Sequence, residues 1–130
     1  MNAAAMLARA RANLVRVEPE QAERLLADRA LLVDIRPYAN RLAEGEIPGA
    51  VIVERIVLEW RLDPHNEFRL AGLAEDSTVV VLCNEGYASS LAARDAQELG
   101  LRNATDMIGG FRAWKAAGLP VVRGGSPAVP

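Results

Sequence analysis

The sequence predicts an α/β domain built on a parallel sheet with helices on both faces. Two observations carry this. Short apolar runs of strand length alternate with longer stretches of helical spacing along most of the chain. The central run, Thr78–Leu82, is apolar at every position after its first residue, as in a strand buried on both faces. The totals agree with one soluble domain. The chain has 130 residues, 51% hydrophobic and 25% charged, with a net charge of −2. That charge gives no support for nucleic-acid binding. No apolar run approaches the ~20 residues that cross a bilayer.

The elements follow in order. Residues 3–14 are rich in Ala and Leu, with Leu7, Ala10 and Leu14 on one stripe, so a helix is expected that must dock to persist. Arg9, Arg11 and Arg16 precede any acidic residue; a surface helix with a basic face is preferred over a transit peptide, and a cytoplasmic protein is expected. Val15–Val17 is a short extended piece. Glu18-Pro19-Glu20 opens a second helix, since Pro is tolerated in the first turn and acids suit the dipole there. Leu31–Ile35 is a buried strand that ends before Arg36-Pro37. A polar connection with a helical turn covers 38–46, and Ile47-Pro48-Gly49-Ala50 is a turn before the strand Val51–Val53. Glu54–Leu62 has helical spacing, with Ile56 and Trp60 beside Leu58 and Leu62. Phe68–Leu73 is a second short element. Thr78–Leu82 is followed by a helix over Ser89–Leu99, stopped at Gly100. Ala104–Ile108 is the last strand, and Gly109-Gly110 opens a helix over Phe111–Ala117. The division expected is a helical extension at 1–16, a domain at 17–122 and a disordered tail at 123–130.

Cys83, the only cysteine, stands directly after Leu82. A lone cysteine excludes an internal disulfide and a multi-cysteine metal site. In parallel α/β sheets, sites form at the carboxyl ends of strands, which is where Cys83 falls. The loop Asn84-Glu85-Gly86-Tyr87-Ala88-Ser89 then leads into a helix. Converging backbone N–H groups and the positive end of that helix stabilise an anionic sulfur. Gly86 supplies the loop's tight curl. His65 lies in an Asp-Pro-His-Asn turn, so a Cys–His pair is not expected.

These residues resemble the single-domain rhodanese family. The matching pieces are Leu32-Val33-Asp34-Ile35-Arg36, Glu44 to Ala50, the loop Cys83 to Ser89, and Gly109-Gly110-Phe111-Arg112-Ala113-Trp114, in family order over roughly residues 17–122. The resemblance implies a five-stranded parallel sheet and a sulfurtransferase. Cys83 would take a sulfane sulfur from thiosulfate, mercaptopyruvate or a low-molecular-weight persulfide and pass it, as a persulfide, to a thiol or protein acceptor. No metal or organic cofactor is implied. The donor-binding candidates are Asn84, Glu85, Gly86, Tyr87, Ala88 and Ser89, with Arg36 and Arg55 as outlying positive charges. Arg36 also has a structural reading as the partner of Asp34, and Arg55 as solvated surface charge. Tyr87 either walls the pocket mouth or covers the helix start. Many family members carry Arg, Ser or Thr where Ala88 stands, and thiosulfate-preferring members often carry basic residues after the cysteine. A carboxylate at Glu85 opposes an anionic donor by roughly 1–4 kcal/mol. Thiosulfate is therefore a poor expected match, and a rhodanese-like binding or regulatory module with little turnover is the rival reading. Related phosphatases use an Arg six residues after the cysteine; here that residue is Ser89.

Overall fold

A computed structural model describes all 130 residues. Its elements are α1 (Ala3–Arg11), α2 (Pro19–Ala27), β1 (Leu31–Asp34), α3 (Tyr38–Glu44), β2 (Val51–Ile52), a 3₁₀ turn at Arg55–Val57 leading into α4 (Leu58–Leu62), β3 (Val79–Leu82), α5 (Ala88–Glu98), β4 (Ala104–Asp106) and α6 (Gly110–Ala116). The sheet runs β2-β1-β3-β4 and every pairing is parallel. Leu31–Asp34 pair residue by residue with Val79–Leu82, which places β3 at the centre.

The period of two along the strands divides the core. Val33, Val79, Val81 and Cys83 face one side, with Leu58, Leu62, Ala92 and Ala96 of α4 and α5. Leu32, Val80 and Leu82 face the other, with Ala22 of α2 and Phe111 and Trp114 of α6. All four residues of β3 are at most 1% exposed. Burying each such side chain stabilises the fold by about 1.5–3 kcal/mol, so β3 is a rigid support for Cys83 and its loop.

Three expectations are corrected. The sheet has four strands, not five. The extended piece at Val15–Val17 makes only a single parallel bridge, Val17 to Met107, because Pro19 begins α2 two residues later. The segment 54–62 turns Leu58 and Leu62 inward while Ile56 and Trp60 are 76% and 54% exposed; the first residues are a 3₁₀ turn, which shifts the helical stripe. Residues 123–130, expected as a disordered tail, lie back along the domain. Val122 pairs with Glu46, the Gly125 and Ser126 N–H groups donate to Glu46 Oε2 at 3.1 Å each, and Val129 N–H donates to the Ile52 carbonyl. The physical reason is Glu46 itself. It is buried with Arg41, and a buried carboxylate needs more donors than one guanidinium gives.

The N-terminal helix α1 is capped by Asn2, whose Oδ1 accepts from the Ala5 N–H at 2.8 Å. It packs on α5 through Ala10, which is 2% exposed.

Candidate active site

Cys83 sits one residue past β3, and the loop 83–87 leads from there to the N-terminus of α5. Its Sγ accepts from the Gly86 N–H at 3.2 Å and the Ser89 N–H at 3.4 Å. Sulfur thereby takes the capping role at α5, where Tyr87, the N-cap residue, supplies no side-chain acceptor. The N–H groups of Asn84, Glu85, Tyr87 and Ala88 have no acceptor within the chain.

Two glycines make this curl possible. Gly86 has φ +89°, and a Cβ there would stand 2.8 Å from the Gly109 nitrogen. Gly110 has φ +64°, and a Cβ there would stand 2.5 Å from the Cys83 carbonyl oxygen. That close approach lets α6 dock on the loop: the Phe111 N–H donates to the Cys83 carbonyl at 2.8 Å and the Arg112 N–H to the Asn84 carbonyl at 3.1 Å. The Gly-Gly pair thus does more than open a helix.

A pocket of about 430 Å³ opens over the sulfur. Among the expected residues, Arg36, Arg55, Asn84, Glu85, Tyr87 and Ala88 line it together with Cys83. Gly86 and Ser89 do not; their backbone meets the sulfur instead. Ser89 is fully buried, and its hydroxyl donates to Asp106 Oδ2 at 2.7 Å. Tyr87 is both a pocket wall and the residue at the α5 start, and it is 61% exposed.

Arg36 is the buried partner of Asp34 at the edge of the pocket. Its Nε and Nη2 donate to the Asp34 carboxylate and Nη2 also to the Gly45 carbonyl, with the guanidinium 3.8 Å over the Phe111 ring. Its Nη1 is buried and has no partner. Arg55 is half-buried at the pocket wall, but its charge is engaged: Nη1 pairs with Glu59 and Nη2 with Asp95. Arg61, on α4, donates to the Phe68 carbonyl and does not line this pocket. His65 is exposed and pairs with Glu75.

Sequence reasoning missed one cluster at the rim. Arg112 bridges Glu44 and Glu85 at 3.1 Å each, and the Asn84 amide donates to Glu44 at 3.0 Å. The Arg112 guanidinium first, then the Asn84 amide, hold the Glu44 carboxyl below its ordinary range against the opposing effect of burial. Glu44 in turn raises Arg112. Arg112 was visible within a motif, but nothing in the sequence tied it to Glu85. Ile35, Pro37 and Asn40 also line the pocket without having been singled out.

The model of the rhodanese-like domain matches residues 18–117. This chain belongs to the rhodanese-like family. It is 33% identical to the thiosulfate sulfurtransferase GlpE of Haemophilus influenzae over 81% of this chain and 91% of that protein. An adenylyltransferase and sulfurtransferase of Zea mays is 38% identical over 65% of this chain, which spans only 17% of that larger protein. Among solved structures, a Rhodopseudomonas palustris protein of unknown function, described as a possible tyrosine phosphatase, superposes with a TM-score of 0.84 at 32% identity. It covers 93% of this chain and 94% of its own. The polysulfide-sulfur transferase homodimer of Wolinella succinogenes gives a TM-score of 0.75 at 27% identity, over 91% of this rhodanese-like chain and 85% of its own.

Proposed function

We propose that this rhodanese-like protein is a sulfurtransferase whose Cys83 carries the sulfur as a persulfide. The observation that supports this most is the pair of N–H donors, from Gly86 and Ser89, aimed at Sγ beneath an open pocket. Such donors stabilise an anionic sulfur before and after loading. In the first half-reaction the Cys83 thiolate attacks the outer sulfur of the donor. The bond joining that sulfur to the rest of the donor breaks, S–S in thiosulfate or an organic persulfide and C–S in mercaptopyruvate, and the remainder leaves as an anion (sulfite, a thiolate or the pyruvate enolate). In the second, an acceptor thiolate attacks the terminal sulfur of the Cys83 persulfide and Cys83 leaves as the thiolate. The unpartnered N–H groups of Tyr87 and Ala88 suit the persulfide's terminal sulfur.

The donor we favour is a low-molecular-weight organic persulfide. The pocket has the volume of a small-molecule site and apolar walls at Ile35, Pro37 and Ala88. Its guanidiniums are already engaged by carboxylates of the chain. Phosphatase chemistry has no support here, because Ser89 stands where a dianion-binding Arg would be and turns its hydroxyl to Asp106.

The test is the intact mass after incubation with glutathione persulfide, mercaptopyruvate and thiosulfate in turn. Gain of one sulfur, absent in Cys83→Ser, is expected, fastest with the persulfide. No gain with any donor overturns the proposal in favour of a binding or regulatory module.

A further inference from the structure

The family match begins at residue 18, yet two arginines that precede it reach the loop of Cys83. Arg11 Nη2 donates to the Gly86 carbonyl at 2.7 Å and Arg16 Nη2 to the same oxygen at 3.0 Å. Arg11 Nε also donates to Ser90 Oγ at 3.0 Å, and its guanidinium lies 5.9 Å from the centre of the Tyr87 ring. Arg16 forms a forked pair with Asp106, and Asp106 Oδ2 accepts from both Ser89 and Ser90. The first turn of α5, the end of β4 and the N-terminal extension are thereby tied to one carbonyl in the loop.

That carbonyl belongs to the residue whose N–H meets the sulfur. Gly86 is held at φ +89°, where a glycine is free to move without a constraint. Two charge-assisted bonds to its oxygen fix the Gly86–Tyr87 peptide plane, and with it the unpartnered Tyr87 N–H, and such bonds are roughly twice as strong as neutral ones. The charge balance points the same way. Across the pocket, Arg112 lies between Glu44 and Glu85, Arg55 between Glu59 and Asp95, and Arg36 against Asp34. Beneath the loop, two guanidiniums meet one carbonyl, and only that of Arg16 is paired with a carboxylate, Asp106. The extension brings the excess positive charge to a loop that has none of its own.

We infer that Arg11 and Arg16 are positioning residues, supplied by the N-terminal extension, that lock the loop around Sγ and favour its anionic form. This rests on the reading of Cys83 as the sulfur carrier. Arg11 is the residue to change, since Arg16 also neutralises a buried carboxylate. Arg11→Gln keeps length and a donor but loses the charge; Arg11→Lys keeps the charge.

The measurement is the rate of Cys83 alkylation by iodoacetamide in the full chain across pH. The quantity read is the rate at neutral pH divided by the plateau rate at high pH, which cancels changes in access to the sulfur. The ratio is expected to fall about three- to tenfold in Arg11→Gln. In Arg11→Lys it should stay within about twofold of the unsubstituted protein, the margin expected where charge is retained. Arg11→Gln with the ratio of the unsubstituted protein overturns the inference and leaves Arg11 as an anchor for α1. Equal falls in both variants overturn it as well, because charge would then not matter. Alkylation needs no sulfur donor. A protein that takes up no sulfur therefore refutes the persulfide reading alone, while the ratio still decides the role of Arg11.

Discussion

Glu85 is the residue at which charge and chemistry meet most directly. Its carboxylate is 3.1 Å from Arg112 and more than half exposed, so part of its repulsion toward an anionic donor is offset and screened. Glu85→Lys should still improve thiosulfate use, by several-fold in kcat/KM, since it turns a wall of the pocket positive and leaves Arg112 with Glu44 as its one acidic partner. Steady-state rates with cyanide as acceptor measure this; an unchanged rate would mean the donor never approaches that side chain. Gly86→Ala is the backbone counterpart. The new Cβ meets the Gly109 nitrogen at 2.8 Å and φ +89° is strained for alanine. A loss of about 1–3 kcal/mol in a urea melt and at least a tenfold loss of sulfur loading are expected. The placement of Cys83 and Gly86 was legible in the sequence because it is set by the chain next to them. The Glu85–Arg112 contact was not, because it joins residues on different elements, and neither type alone signals the other.

At the scale of elements, the apolar runs gave β1, β3 and the helices about them because burial on both faces leaves a pattern in residue type alone. Pattern failed where local backbone preferences decide. Pro19 cuts the first extended piece to one bridge, and the 3₁₀ turn at Arg55–Val57 rotates Ile56 and Trp60 outward. It also could not show that polar groups tie elements together. Asp106 is fully buried at the end of β4 and accepts from Arg16, Ser89 and Ser90. Asp106→Ala leaves the Arg16 charge and two hydroxyls without their acceptor. It should cost about 3–5 kcal/mol in a denaturant melt. A cost under about 1 kcal/mol would show that solvent replaces the carboxylate.

The molecule as a whole is closed by its two ends. The N-terminal extension reaches the loop of Cys83 through Arg11 and Arg16, and the C-terminal segment wraps onto Glu46. Neither was legible, since both rely on main-chain partners that carry no mark in the sequence. The Glu46 site has a pH signature. Burial raises its carboxyl, but the Ser126 and Arg41 hydrogen bonds outweigh that, with a net lowering from the ordinary value of 4.5. A carboxyl lowered in the folded state contributes stability that is present above its unfolded value and lost as pH falls through its folded one. Stability should therefore drop below about pH 4.5, and Glu46→Gln should flatten that part of the profile in melts taken across acid pH. A profile of unchanged slope would mean that the tail's attachment does not depend on the Glu46 charge.

All three scales converge on Cys83, and the proposed passage of a sulfane sulfur over it is best followed in a single turnover. The protein is loaded with isotopically labelled sulfane sulfur, freed of donor and mixed with an acceptor thiol, and both partners are weighed with time. One labelled sulfur is expected on Cys83, leaving the protein as it appears on the acceptor, with the unmodified mass restored. Label that stays on Cys83, or that attaches equally to Cys83→Ser, would contradict it.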